Sequence, residues 1–527
     1  MDIVNTSTSL ARVIVRQIIE AGITDVVISP GSRNAPLSLA FNSAATRGLI
    51  KIHMRIDERT GAFFALGLIK SSGRPVPILC TSGTAVANFH PAVLEAHHTN
   101  AALLVLTADR PAMLRRTGAN QTTEQVGIFG KAVRYFADID GPLFPMELAL
   151  DSLCSGPVHL NLQFDEPLLP DSSTQWLDEI KAAPEASMER RKSLTLKLQA
   201  SRGILVIGHD RGGLSVQVLT KFAKKLNWPI IAEDPLSFPD AIAHASIFLT
   251  SPAIRSALTP QAAIVIGRTT LSRSVNALIS LAPSTYVIDP RIATVDSHRS
   301  AEKLFTEIPV IDTVMASDDW HRQWQKYSER CARVIGEFDG WSEAMIAKEI
   351  AQGIPHGAAL FISSSRPIRD LEGFAKPRTG VTTYANRGLA GIDGNISTAL
   401  GIASKHTQTY AVLGDLAFLH DVTGLIQREE INCTFIVINN DGGGIFSTLP
   451  QRGVQGFETV FGTPHGLDPA AIAASFGVPA TTITTIDQLQ RIFTSPVKGV
   501  CVVVAKVASR ETNADNLRSI YDAVNSL

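Results

Sequence analysis

The 527-residue chain carries 48 Lys and Arg against 49 Asp and Glu, a net charge of −1 that argues against nucleic-acid or membrane-surface binding through bulk charge. It is 45% hydrophobic and 18% charged, a globular composition with length for about three domains. Cys80, Cys154, Cys331, Cys433 and Cys501 are scattered without CxxC spacing, which points to reduced thiols of a cytoplasmic protein rather than a disulfide or zinc framework. Arg12 and Arg16 interrupt the first apolar pattern, so no signal-peptide core is expected, and no apolar run is long enough to span a membrane.

In chain order, helical spacing over Ser9–Ala21 precedes a buried strand, Asp25–Ser29, and the turn Pro30-Gly31-Ser32-Arg33-Asn34. A short strand near Ile50–Ile56 leads through Asp57-Glu58-Arg59-Thr60 into an apolar helix, Gly61–Lys70. Pro77–Cys80 is a strand, Thr81-Ser82-Gly83-Thr84 opens a helix to about Ala96, and strands at Ala102–Thr107 and Pro157–Leu162 follow. This β/α alternation predicts one doubly wound α/β domain over 1–170. The polar stretch 171–200 reads as a linker without a strand. Strands at Gly203–Gly208, Pro229–Ala232, Ala262–Gly267 and Tyr286–Asp289 predict a central α/β domain over 201–312. Gly208–Gly213 lacks the G-x-G-x-x-G spacing, so a dinucleotide is not expected there. Residues 313–355 read as a helical connection. Strands at Ala358–Ile362, Val381–Tyr384, Tyr410–Gly414, Phe435–Asn439 and Gly499–Ala505 predict a third α/β domain over 356–527.

The chemistry concentrates where these strands end. Asp415 closes the run Tyr410–Gly414 and Asn440 closes Phe435–Asn439, with a helical pattern from about Leu419 to Arg428 between them. A βαβ unit makes the two strands parallel and sets both polar ends on the ligand-binding rim of the sheet. A carboxylate, an amide oxygen and a backbone carbonyl near Gly442 suit a hard cation such as Mg²⁺ that also takes phosphate oxygens and water. Such residues also simply end strands and open turns. Either Asp57 or Glu58 is the acid that opens the apolar helix, and periodicity does not choose between them. Arg33, Arg110, Arg369 and Arg387 each follow a strand in a turn with Gly or Pro nearby. A set of four favours a carboxylate-rich substrate, because Arg binds carboxylates through two parallel hydrogen bonds.

Gly414-Asp415 followed at this distance by Asn439-Asn440 resembles the thiamine diphosphate motif. With Ser29-Pro-Gly-Ser-Arg-Asn34, Asp57-Glu-Arg59, Thr81–Asn88, Thr117–Gln121, Asn386-Arg-Gly388, Gly391-Ile-Asp-Gly394 and Asn439–Phe446, the chain resembles the 2-succinyl-5-enolpyruvyl-6-hydroxy-3-cyclohexene-1-carboxylate (SEPHCHC) synthases over essentially its full length. Leu416, where most thiamine enzymes have Gly, is similar to that family's own variant.

The resemblance implies three doubly wound parallel-sheet domains: pyrimidine-binding, central and diphosphate-binding. It implies a transferase of menaquinone biosynthesis that decarboxylates 2-oxoglutarate and adds the four-carbon fragment to isochorismate. Glu58 would bond the aminopyrimidine. Asp415, Asn440 and Gly442 would hold Mg²⁺ or Mn²⁺. Ser365, Gly391, Ile392, Gly414, Leu416 and Ile445 would contact the cofactor, with Ile392 as its apolar wedge. Ser32, Arg33, Arg110, Asn120 and Gln121 would face isochorismate, and Arg369, Arg387 and Phe446 the 2-oxoglutarate side. A homodimer or homotetramer is implied, with active sites at the subunit interface. Other thiamine enzymes, such as an acetohydroxyacid synthase or a 2-oxo acid decarboxylase, lack the Ser-Pro-Gly-Ser-Arg turn. A non-catalytic relative would not be expected to retain Glu58, Asp415 and Asn440.

Overall fold

Short apolar runs of strand length become three wholly parallel sheets, buried on both faces as continuous Val, Ile and Leu runs require. The computed structural model describes residues 6–170, 173, 175–180, 194–291, 296, 297, 299–313, 317–426, 429–495 and 498–526. It divides into two compact units, one of Met1–Glu189 with Asp393–Lys405 and Asp421–Glu430, the other of Arg190–Ile392, His406–His420 and Ile431–Leu527.

In the first unit, β1 (Asp25–Ile28), β2 (Lys51–Met54), β3 (Val76–Cys80), β4 (Leu103–Asp109), β5 (Tyr135–Ile139) and β6 (Val158–Gln163) form a sheet of order β2-β1-β3-β4-β6-β5. Asp57 caps the helix Glu58–Ser72 by accepting from Arg59 N and Thr60 N. Residues Thr60–Ile69 of that helix are buried all round. It crosses the helix Asn395–Ala403 at two glycines. A Cβ on Gly67 would lie 2.2 Å from the Thr398 carbonyl oxygen, and one on Gly401 would lie 2.1 Å from that of Phe64. Backbone meets backbone there, and neither place admits alanine without moving a helix.

The second unit holds two sheets and a strand pair. Strands β7 (Thr195–Leu198), β8 (Gly203–Ile207), β9 (Ile230–Ala232), β10 (Ala262–Ile266), β11 (Ser284–Ile288), β12 (Lys303–Phe305) and β13 (Val310–Thr313) belong to the central region. Five of them form the sheet β12-β11-β10-β8-β9, and β7 pairs with β13. Then β14 (Ala359–Ile362), β15 (Thr382–Tyr384), β16 (Thr409–Gly414), β17 (Cys433–Asn439), β18 (Ala480–Ile483) and β19 (Val500–Lys506) form β15-β14-β16-β17-β19-β18. Counted from its own first strand, this order repeats that of the first unit.

Three expectations need correction. The stretch 171–200 holds a strand, β7, whose Leu196 and Leu198 are buried while Thr195 and Lys197 are exposed; two apolar residues are too short a signal to read. Much of that stretch lies outside the described residues. The helix Asp318–Glu337 is not merely connective: Trp320, Trp324, Cys331, Val334 and Ile335 enter the central core, and Trp320 Nε1 donates to Gly203 O at 2.8 Å. The helix after β16 is Asp415–His420, followed by a 3-10 turn at Val422–Leu425, rather than Leu419–Arg428. Gln427 and Arg428 lie outside the described residues.

Candidate active site

The repeated strand order puts equivalent turns at equivalent rims. Strand order reverses between β1 and β3 in one sheet and between β14 and β16 in the other, the place where open α/β sheets take ligands. Arg33 follows β1, Glu58 follows β2, Ser82 follows β3 and Arg110 follows β4. In the other sheet Ser365 follows β14, Arg387 follows β15, Asp415 follows β16 and Asn440 follows β17.

On the first rim, the Asp57 carboxylate is committed. Besides capping the helix, its Oδ2 accepts from Thr423 Oγ1 at 2.7 Å. Glu58, half-buried as the first helical residue, accepts among the described residues only a long 3.4 Å bond from Asn88 Nδ2. Of the two acids, Asp57 is the one engaged in holding the helix start. Burial drives the nearby Cys80 thiol well up, and the Glu58 carboxylate adds to the rise.

Beside it, Arg110 Nη1 donates to Ser82 Oγ at 2.9 Å and to Gln121 O at 2.7 Å, while Gln121 Nε2 donates to Ser82 O at 3.1 Å. Arg33 donates to Phe164 O at 2.9 Å and has the exposed Glu166 at 3.8 Å. Its pKa is lowered first by burial and then by the Arg110 charge. Two guanidiniums are thus held close, mostly by neutral oxygens, which leaves a surplus of positive charge for an anion. Ser32 and Asn120 are exposed in the flanking turns.

On the second rim, Asp415 is 2% exposed. Its Oδ1 accepts from Leu416 N at 2.7 Å and its Oδ2 from Gly442 N at 2.9 Å. Burial raises its pKa, against those bonds and His465. His465 Nδ1 accepts from Leu467 N at 3.0 Å, which leaves the proton on Nε2, 3.3 Å from Asp415 Oδ2. Gly442 has φ of 131°, and a Cβ there would fall 2.1 Å from Gly462 O, so only glycine fits.

Asn440 Nδ2 donates to Glu343 Oε1 at 2.6 Å, and its Oδ1 is buried with no hydrogen-bond partner among the described residues. An orphaned amide oxygen beside a carboxylate fits a hard cation. Among the described residues no three His, Cys, Asp or Glu side chains cluster as a protein-only metal cage. One carboxylate and one amide oxygen instead suit an ion completed by phosphate.

Arg369 lies within the helix Arg366–Phe374 rather than in the turn expected for it, because the helix starts directly after Ser365; it donates to Ser365 O at 2.7 Å and forms no ion pair among the described residues. It lines a cavity of about 280 Å³ with Arg273, Glu372 and Ile445. Arg387 is different. Its Nε and Nη2 meet the Glu233 carboxylate at 3.3 and 3.2 Å, and Glu233 also accepts from His209 N and Leu271 N, both at 2.9 Å. Burial first, and Glu233 second, push Glu372 well above the carboxylate range. Ile392 is not ordinary core: it is 45% exposed, beside Gly391. Phe446 packs on Phe461 with ring centroids 5.4 Å apart.

Gln121, Ser365, Ala390 and Asp441 hold φ of 54°, 74°, 60° and 62°, a region that costs a non-glycine residue about 1–3 kcal/mol and recurs at ligand sites. Sequence reasoning missed Glu233, Glu343 and His465. Glu233 ends a strand as the chosen residues do, and that signal was available. Glu343 reads only as a helix-opening acid after Ser342, and His465 lies in a turn without periodicity.

Comparison with known proteins decides the family. Models of the thiamine pyrophosphate enzyme N-terminal TPP-binding domain, the thiamine pyrophosphate middle domain and the C-terminal TPP-binding domain match residues 8–128, 170–362 and 369–505. The chain is 39% identical over 514 residues to the 2-succinyl-5-enolpyruvyl-6-hydroxy-3-cyclohexene-1-carboxylate synthase of Thermobifida fusca, covering 91% of this chain and 92% of that protein. It is 38% identical to the Nocardioides enzyme of that name over 99% and 98% of the two chains, and 34% identical to that of Lysinibacillus sphaericus over 97% of each.

The chain belongs to the SEPHCHC synthases. As a SEPHCHC synthase it is an enzyme with thiamine diphosphate-binding domains at both ends. The central region, which carried no motif in the sequence, matches the middle domain of that superfamily. No helix among the described residues is long and apolar enough to cross a membrane.

Proposed function

We propose that this chain couples 2-oxoglutarate to isochorismate, with loss of CO₂, to give SEPHCHC in menaquinone biosynthesis. The observation that carries this reading is the charge arrangement of the rims: guanidiniums held by neutral oxygens, and an orphaned Asn440 Oδ1 beside Asp415. When bound, thiamine diphosphate supplies an acidic thiazolium carbon and an electron sink for decarboxylation. Asp415, Asn440 Oδ1 and the Gly442 carbonyl would hold Mg²⁺ or Mn²⁺, whose charge would offset that of the diphosphate. Ser365, Gly391, Gly414, Leu416 and Ile445 line the cofactor, and the exposed Ile392 is its apolar support. Glu58 would share a proton with the aminopyrimidine N1′ and so favour the form of the ring that can take up a proton.

Ser32, Arg33, Arg110, Asn120 and Gln121 bind isochorismate. Arg369 and Phe446 bind on the 2-oxoglutarate side. Arg387 contributes with Glu233 holding its guanidinium in place, so its substitution strands a fully buried carboxylate and costs about 3–5 kcal/mol of stability as well as binding. The functional assembly is a homodimer or homotetramer acting in the cytoplasm. The divisions near residues 170, 200, 312 and 355 belong to this reading, with β7 and β13 drawn to the central domain.

Arg369 is the cleaner probe. Arg369→Ala is expected to raise KM for 2-oxoglutarate about tenfold to a hundredfold, matching the roughly 1.5–3 kcal/mol of a hydrogen bond to a charged group, with KM for isochorismate unchanged. Steady-state kinetics with each substrate varied in turn test this. An equal change in both KM values would remove Arg369 from the 2-oxoglutarate side.

A further inference from the structure

Glu343 lies far from the strand rims in sequence, yet its side chain ends at one of them. It is the first residue of the helix Glu343–Gly353, which Ser342 caps by accepting from Met345 N. Its own backbone N–H donates to Asn513 Oδ1 at 3.2 Å, so the helix start is pinned to the C-terminal helix Arg510–Asn525. The carboxylate reaches β17's end, where Oε1 accepts from Asn440 Nδ2 at 2.6 Å. Oε2 lies 3.9 Å from Arg366 Nε, and the two side chains are 10% and 14% exposed. Glu343, Arg366, Asp370, Gly414 and Asn440 share an internal cavity of about 40 Å³. Gly444 makes room for the amide, since a Cβ there would lie 2.3 Å from Asn440 Nδ2.

An amide has two ends with opposite chemistry, a donor and an acceptor. A carboxylate that accepts from the NH₂ end fixes the carbonyl end pointing away. That end is the buried Oδ1 without a partner. We infer that Glu343 is a positioning residue for the cation: it sets the Asn440 amide so that Oδ1, rather than Nδ2, faces Mg²⁺. It also adds a carboxylate behind the two ligands. Outer-shell partners of metal ligands act this way, and their loss costs about 10–100-fold in metal affinity. The inference rests on the proposed cation site of Asp415 and Asn440.

Glu343→Gln tests it. The side chain keeps its shape, and Arg366 keeps its partner Asp370. The new amide can donate as well as accept, so the Asn440 amide is no longer held one way round. Mn²⁺ binding in the presence of thiamine diphosphate, read by electron paramagnetic resonance on the full-length protein, is expected to weaken about 10–100-fold. Glu343→Asp, which keeps an acceptor-only group but shortens it, is expected to fall between the variant and the wild type. Asp415→Ala is measured in parallel. If Asp415→Ala weakens Mn²⁺ binding and Glu343→Gln does not, the positioning role is wrong and the cation site stands. If neither changes it, the cation site itself is wrong and the inference falls with it.

Discussion

Glu58→Gln is expected to lower turnover by about 10²–10⁴-fold, the usual contribution of a positioned acid–base group, with the melting temperature and cofactor affinity little changed. The structure separates the two effects. Asp57, not Glu58, accepts the backbone N–H groups that start the helix, and it also holds Thr423. Among the described residues Glu58 has a single long bond, to Asn88. Removing its charge loses the favourable contact with the helix dipole, about 0.3–1 kcal/mol, and no other structural contact of weight among the described residues. Glutamine keeps the shape and can still meet a ring nitrogen, but it does not share a proton. Steady-state turnover with calorimetric titration of thiamine diphosphate measures both quantities. Turnover within a factor of two of wild type would remove Glu58 from the proton relay.

Asp415→Ala is expected to weaken cation-dependent binding of thiamine diphosphate by at least about a hundredfold, the scale of losing a charged ligand rather than an outer-shell partner. It also strips the acceptor from Gly442 N and Leu416 N, so the loop that presents the Gly442 carbonyl loosens at the same time. His465 loses its partner too. Titration with Mg²⁺ at fixed thiamine diphosphate reads the effect. The same variant binding the cation and cofactor as tightly as wild type would take Asp415 out of the clamp.

Much of the fold was legible because parallel strands buried on both faces announce themselves as unbroken apolar runs. Besides β7 and its partner β13, the strands that escaped were β5, β12 and β18, and each of these three is the last strand at one edge of its sheet. An edge strand is covered on fewer sides. Residues of β18 run half-buried, exposed, exposed and buried, and those of β12 exposed, exposed and buried, so the apolar signal is diluted. The repeat of strand order between the first and third sheets was equally hidden, since topology survives without matching side chains.

The strand-end rule placed Arg33, Arg110, Arg369, Arg387, Asp415 and Asn440 after strands, where the structure also has them, because rim position depends on strand boundaries alone; between Asp57 and Glu58 it did not choose. It did not find which partner each would meet. Arg387 with Glu233, Asn440 with Glu343, and Asp415 with His465 are all distant in sequence. Those pairings depend on how helices and loops from separate segments come back to one sheet end.

The central claim is most directly tested by incubating the purified chain with thiamine diphosphate, Mg²⁺, 2-oxoglutarate and isochorismate, following isochorismate absorbance and the product by mass. The account predicts isochorismate loss that requires every component, with one CO₂ released per product of SEPHCHC mass. Decarboxylation of 2-oxoglutarate with isochorismate untouched would contradict the acceptor. Absence of both reactions, with no binding of thiamine diphosphate, would contradict the reading of Asp415 and Asn440 as its clamp and the function built on it.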